Sequence, residues 1–143
     1  EKKTSDVAKK EGVCVVLGAG NQAMLTAIDI LNAFFVQRRP VLVKHHPLRP
    51  HLIHPYRILF DTLAQKGYLS QIPDEGIANT EDILKNEAVG SVHVTGAYET
   101  ACAIEKTLLR TRSDVNSLEE ASKMVTSELG CATPWIIAPA EYT

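Results

Sequence analysis

Residues 13–47 constrain the fold of this chain more than any other stretch, because they read as strand, glycine turn, helix and second strand. The run Val13–Leu17 is continuously apolar and mostly β-branched, which is typical of a strand buried on both faces. Apolar residues then recur at spacings of three and four, which predicts a helix over residues 21–36. A short apolar strand over residues 40–44 completes a right-handed βαβ unit.

The turn between this strand and helix fits the dinucleotide-binding pattern G-x-G-x-x-G/A, and it spells Gly18-Ala19-Gly20-Asn21-Gln22-Ala23. Glycines let the backbone approach a ligand, and the helix N-terminus offers unpaired N–H groups to a phosphate or an oxyanion. An ordinary Rossmann domain has an acidic residue after the second strand to bind ribose, whereas this chain has Lys44. A lysine could bind the 2′-phosphate of NADP or donate to ribose hydroxyls. The motif alone also allows a glycine turn that only packs the helix onto the sheet.

The rest of the chain alternates strand-like and helical segments. We predict strands over residues 68–72, 91–94, 124–129 and 135–138, and helices over residues 56–66, 82–86, 97–109 and 118–123. Such alternation predicts an α/β fold with a mostly parallel sheet, as in a Rossmann-like three-layer sandwich.

Composition narrows the class of protein. The chain has 143 residues, is 45% hydrophobic and carries a net charge of -2, so we expect one globular domain and no nucleic-acid partner. No apolar run is long enough to span a bilayer, and we expect no membrane partner. The cysteines Cys14, Cys102 and Cys131 form no metal or disulfide pattern, which is typical of reduced thiols in the cytoplasm. Because the sequence starts at Glu1 and stops after an apolar run, we expect it to be part of a longer protein.

Three segments, in this order, resemble the cofactor-binding domain of the aldehyde dehydrogenase superfamily. VVLGAGNQAML…PVLVKHHP resembles the stretch from that family's active-site asparagine to its adenosine-ribose lysine. VHVTGAYET resembles its strand and turn ending in Thr-Gly-Ser, and VTSELGCATPWIIAP resembles its Glu-Leu-Gly-Gly-Lys-x-Pro segment. The resemblance covers about residues 13–139. It implies that residues 1–143 are a nucleotide-binding domain that takes NAD or NADP, within an oxidoreductase that oxidises an aldehyde through a cysteine thioester.

The resemblance implies two catalytic residues. Asn21 would donate its side-chain amide to the oxyanion formed on the substrate carbonyl, and Glu128 would be the general base that activates the deacylating water. The family's nucleophilic cysteine lies downstream, so we expect the catalytic-cysteine domain to be absent from this segment and the segment alone not to run the reaction. Cys131 lies three residues from Glu128, but it occupies a glycine position of the family.

The resemblance also implies a cofactor pocket. Lys44 would face the adenosine ribose beside His46 and Pro47, and the turn Thr95-Gly96-Ala97 would lie under the pyrophosphate. The family often has a glutamate at the position of Pro47, and without it the choice between NAD and NADP stays open. The complete set of expected cofactor-binding residues is Leu17, Gly18, Ala19, Gly20, Lys44, His46, Pro47, Thr95, Gly96, Ala97, Thr100, Leu129 and Gly130.

Other interpretations remain open at this point. The chain could be a non-catalytic nucleotide-binding or assembly module, or part of an acyl-CoA or acyl-phosphate reductase of the same superfamily, which would not need Glu128 as a hydrolytic base. Four histidines within ten residues, His45, His46, His51 and His54, could bind a metal, but two prolines interrupt them, a third follows, and we assign no metal site. In the full-length protein we expect a small aldehyde as substrate and a homo-oligomer.

Overall fold

A computed structural model describes residues 12–130, and the structural statements that follow concern those residues. The strands are β1 (Val13–Leu17), β2 (Val41–Lys44), β3 (Leu69–Ile72), β4 (Val89–Gly96) and β5 (Val125–Leu129). The helices are α1 (Ala23–Leu31), α2 (Ile53–Leu59), α3 (Asp61–Gln65), α4 (Ile77–Leu84), α5 (Tyr98–Thr111) and α6 (Leu118–Met124). The strands form one sheet in the order β3-β2-β1-β4-β5, and every neighbouring pair is parallel.

Two hydrophobic cores lie on opposite faces of this sheet. Cys14 and Val16 of β1 point to one face, where they meet Ile30 of α1 and the rings of Tyr56 and Phe60. The core on the other face contains residues of β1, β4, α4, α5 and α6, namely Val15, Val92, Val94, Leu84, Ile104, Leu108 and Ala121. Helices therefore cover both faces, and the predicted Rossmann-like three-layer α/β sandwich is confirmed.

The predicted helix over residues 21–36 is present, but its geometry changes within it. The α-helical part ends at Leu31, and a π-helical turn follows over Asn32–Val36, in which the N–H of Gln37 donates to the carbonyl of Asn32 at 3.0 Å. Arg38 then adopts a φ of 56°, in the left-handed region that ends helices. This wide turn lets the chain reverse into β2.

The helix predicted to begin at Tyr56 begins earlier. A 3-10 turn over Pro50–Leu52 leads directly into α2, which starts at Ile53. Pro55 lies in the first turn of α2, where its missing N–H has no carbonyl partner to lose, so the helix can begin before the proline. The single helix predicted over residues 56–66 is divided at Phe60 into α2 and α3, and Gly67 follows α3 with a φ of 74°.

Two other predicted boundaries are wrong. The helix expected over residues 82–86 is α4, which spans Ile77–Leu84, and the hydroxyl of Thr80 donates to the carbonyl of Gly76 at its start. The strand expected over residues 91–94 is β4, which is longer at both ends because both of its edges pair with neighbouring strands. The residues around a strand do not show which distant strands will pair with it, so the sequence did not predict the full length of β4.

The last part of the described chain follows the prediction closely. The hydroxyl of Ser117 accepts a hydrogen bond at 3.2 Å from the N–H of Glu120 and caps α6, which leads into β5. The strand predicted over residues 135–138 lies outside the described residues. Among residues 12–130, no helix is both long and apolar enough to cross a membrane.

Adjacent leucines of α5 test how much the second core contributes to stability. Leu108 is fully buried and Leu109 is 37% exposed. We expect Leu108→Ala to lower the free energy of unfolding by about 2–5 kcal/mol, since it leaves a cavity. The matched Leu109→Ala should cost less than about 1 kcal/mol. Urea denaturation measures both, and equal losses would contradict this packing.

Candidate functional site

A large cleft lies at the carboxyl ends of the parallel strands. The chain connects β1 to β2 on one side and reaches β4 on the other side, so the crossovers diverge between β1 and β4. Ligands bind at such switch points in open α/β sheets, because the diverging connections leave a crevice there. The cleft has a volume of about 1010 Å³.

Nearly all of the residues that the sequence analysis assigned to a site line this cleft. Its lining includes Leu17, Gly18, Gly20, Asn21, Lys44, His46, Pro47, Thr95, Gly96, Ala97, Thr100, Glu128, Leu129 and Gly130. Ala19 is the exception: it is buried behind the turn, where its N–H donates to the hydroxyl of Thr26 at 3.0 Å. The lining also contains the acidic residues Asp74, Glu81 and Glu99, which the sequence analysis did not assign.

The glycine turn after β1 is tightly packed. The N–H of Gly18 donates to the carbonyl of Lys44 at 2.9 Å. A Cβ on Gly20 would lie 2.7 Å from the ring of His46, so only glycine fits there without displacing the imidazole. Arg49 holds the turn from outside, because its guanidinium donates to the carbonyls of Gly20 and Asn21 at 3.0 and 2.9 Å.

The helix that follows this turn has an uncapped N-terminus. Gln22 is the N-cap of α1, and its side chain accepts no hydrogen bond from the helix. Asn21, which lines the cleft, directly precedes Gln22 in the chain. Uncapped N–H groups of a helix can donate to an anion, as the sequence pattern predicted for this turn.

Lys44 at the end of β2 forms an ion pair that the sequence analysis missed. Its ammonium lies 2.7 Å from a carboxylate oxygen of Asp74, and the two side chains are 7% and 18% exposed. The hydrogen bond from Lys44 is the main cause that holds the pKa of Asp74 below its ordinary value. An acidic side chain thus does lie beside the end of β2, but the loop after the neighbouring strand β3 supplies it.

The histidine cluster does not assemble into a metal site. The buried ring of His45 donates from Nε2 to the side-chain oxygen of Gln71 at 2.8 Å, and burial lowers the pKa of His45, which favours the neutral form. Nδ1 of His46 accepts instead from the N–H of Leu48 at 3.1 Å. Within residues 12–130, the clustered histidines do not converge on a common point with a third ligand.

The turn after β4 forms the opposite wall. Ala97 is the N-cap of α5, has an extended backbone and supplies no side-chain cap, so the first N–H groups of this 14-residue helix lack a side-chain acceptor at that end. The hydroxyl of Thr95 donates to Asp29 at 3.2 Å. In the sheet register, Glu128 of β5 lies opposite Thr95, and Leu129 lies opposite Gly96.

A second polar cluster beside this turn was also missed. Asp29 of α1 and His93 of β4 are both buried, and the His93 Nε2 lies 3.2 Å from the Asp29 carboxylate. The usable sequence signal was an aspartate between two isoleucines of an amphipathic helix. A charged residue at such a position needs a partner when it is buried, but its partner is 64 residues away (93 minus 29).

The cysteines give no nucleophile beside Glu128 within the described chain. Cys14 is buried in the first core, and its burial raises the pKa of the thiol. Cys102 lies on α5 and is half-buried. Cys131 lies outside the described residues.

Comparison with known proteins identifies a similar fold. No family model matches the chain, and no curated protein matches it. A solved structure of succinic semialdehyde dehydrogenase from Streptococcus pyogenes, in complex with NADP+ as the cofactor, is similar with a TM-score of 0.61 and 18% sequence identity. The match covers 85% of this chain and 24% of that chain, so the chain spans about a quarter of that dehydrogenase. At this identity the likeness establishes the fold. The solved structure is an aldehyde dehydrogenase, and the sequence motifs of this chain resemble the same family.

The Lys44–Asp74 pair makes a testable contribution to stability. Because the pKa of Asp74 is lowered in the folded chain, its stabilising effect is complete above the unfolded-state pKa of about 3.9 and is lost as the pH falls through the lower folded pKa. We expect Asp74→Asn to be less stable than the parent chain at pH 7, with the difference shrinking below pH ~4. Asp61→Asn, on exposed α3, is the control, and a pH-independent difference for Asp74→Asn would contradict the ion pair.

Proposed function

We propose that this chain is the NAD(P)-binding domain of an aldehyde-dehydrogenase-like oxidoreductase. The observation that carries the proposal is the convergence of three separate sequence segments on one cleft. Every residue that the family resemblance assigned, apart from Ala19, lines that cleft. The NADP+ bound to the structurally similar dehydrogenase supports the same class of ligand.

The cleft offers suitable groups for each part of a dinucleotide. The uncapped N-terminus of α5 at Ala97 can donate N–H groups to a pyrophosphate. Lys44 can donate to ribose hydroxyls or bind a 2′-phosphate, and the carboxylate of Asp74 can accept from ribose hydroxyls. The glycine turn next to Asn21 would then lie near the nicotinamide.

In the complete enzyme, two residues of this chain would act on the substrate. A cysteine supplied outside residues 12–130 would attack the aldehyde, and the amide of Asn21 would stabilise the oxyanion as charge develops on it. Hydride transfer to the nicotinamide would leave a thioester. Glu128, exposed at the cleft end of β5, would take a proton from the water that hydrolyses it.

Cofactor binding is the first test. We expect the chain to bind NADPH or NADH, and Lys44→Met to weaken binding at least about tenfold, since each lost charged hydrogen bond costs about 1.5–3 kcal/mol. Methionine keeps the apolar stem, and circular dichroism would verify the fold. Lys85→Met, an exposed lysine outside the cleft lining, is the matched control. Cofactor fluorescence measures each dissociation constant, and equal values for the two variants would contradict the role of Lys44.

The role of Glu128 is tested in the longer protein. We expect Glu128→Gln to slow steady-state aldehyde oxidation by about 10²-fold or more, while the first turnover of NAD(P)H formation stays fast, since hydride transfer precedes hydrolysis. Stopped-flow absorbance separates the two phases. Glu119→Gln on exposed α6 is the control. Unchanged steady-state turnover would eliminate Glu128 as the base and would favour a reductase of the same superfamily, whereas absence of turnover in the parent protein would favour a non-catalytic module.

A further inference from the structure

Three potential metal ligands from three different elements converge at the edge of the cleft. They are Asp29 of α1, His93 of β4 and Glu128 of β5, and one ligand atom of each lies within 4.8 Å of the others. Asp29 and His93 are buried and Glu128 is exposed. We propose that these three residues bind a divalent transition-metal ion of the zinc type.

The spacing of the two buried ligands suits such an ion. Nε2 of His93 and an Asp29 carboxylate oxygen are 3.2 Å apart. Zinc bonds to nitrogen and oxygen of about 2.0–2.2 Å in tetrahedral geometry separate neighbouring ligand atoms by roughly 3.3–3.6 Å. A small rotation of either side chain is enough to admit the ion. One imidazole and two carboxylates are ligands that zinc and its neighbours accept.

Hydrogen bonds from two threonines orient the proposed ligands. Nδ1 of His93 lies 2.9 Å from the hydroxyl of Thr126, and the hydroxyl of Thr95 donates to the other oxygen of Asp29 at 3.2 Å. Metal-binding histidines characteristically use their second ring nitrogen in this way, because the hydrogen bond fixes the tautomer and the ring plane. The arrangement therefore includes outer partners as well as the ligands.

The direction of these hydrogen bonds leaves room for a cation. The Thr126 hydroxyl lies 3.4 Å from the Val92 carbonyl and can donate to it, so it can accept from Nδ1–H of His93. The lone pair on Nε2 would then face the Asp29 carboxylate at 3.2 Å. A cation between the two atoms turns this repulsion into attraction. A proton on Nε2 would do the same, either in the neutral tautomer whose Nδ1 accepts from the Thr126 hydroxyl or as a second proton on the ring, and the experiment separates a proton from a metal ion.

The exposed carboxylate gives the ion a path to the site. Glu128 and Thr95 both line the cleft, so an ion could enter from the cleft and keep a coordination position open towards it. Three protein ligands and one open position are typical of reactive zinc sites. Glu128 bound to a metal is not a free base, so this site does not depend on the proposed water activation and would compete with it.

Calorimetric titration of the chain with Zn²⁺ tests the site, and Co²⁺ provides an absorption signal from the bound ion. We expect one ion per chain, with affinity lowered at least tenfold by Glu128→Gln and by His93→Gln. Removing an outer partner with Thr126→Val should cost about tenfold. Glu128 and Thr126 are exposed, so these two variants should fold even if His93→Gln does not. The double variant His51→Gln/His54→Gln is the control and should bind as the parent chain does.

Two outcomes would overturn the proposal. If neither ion binds at millimolar concentration, a proton occupies the gap and the cluster is a hydrogen-bonded network only. If binding is unaffected by Glu128→Gln and Thr126→Val but lost in the His51/His54 control, the histidine cluster holds the metal. Cofactor binding by the same preparations is measured separately, so failure here leaves the dinucleotide proposal standing.

Discussion

The parallel pairing of β1 with β2 on one edge and β4 on the other determines the rest of the structure. Since both edges of β1 are paired, its polar backbone groups are satisfied inside the protein, and its side chains can be apolar on both faces. The chain leaves β1 towards β2 and returns on the far side as β4. The helices that follow must therefore diverge from the carboxyl end of β1, and the cleft is the space that this divergence creates.

The sequence predicted the elements whose signals are local. The apolar run of β1, its glycine turn, the following strand and the helix over residues 118–123 all depend on residues within a few positions of one another. The predicted start of α2 was wrong because a proline is accepted in the first turn of a helix as readily as it ends one. The predicted start of α4 was five residues too late, because the carbonyl of Gly76 accepts from the N–H and the hydroxyl of Thr80 and so begins the helix at Ile77.

The candidate site was predictable only in part, for the same reason. Its backbone turns carry motifs, and these led to nearly the whole cleft lining. Its ion pairs and polar contacts join residues far apart in sequence: Lys44 with Asp74, and Asp29 with His93. A buried charge costs several kcal/mol unless it is compensated, so each of these charged residues needs a partner once it is buried. The sequence around a charged residue does not show which distant residue that partner is. The roles of these residues in binding and catalysis stay predictions until a ligand is measured.

The charges along the cleft have a kinetic consequence for any anionic ligand. Among residues 12–130, the cleft lining carries the carboxylates of Asp74, Glu81, Glu99 and Glu128 and the ammonium of Lys44. Lys44 pairs with Asp74, and Arg110 pairs with Glu81, so Glu99 and Glu128 carry the excess negative charge. The lining is therefore net acidic and repels a distant phosphate group, and attraction comes at contact distance from backbone N–H groups and from Lys44. Dissolved salt screens the long-range repulsion more than the short contacts. A nucleotide would consequently enter this cleft faster as ionic strength rises, opposite to the electrostatic steering of proteins with basic phosphate sites.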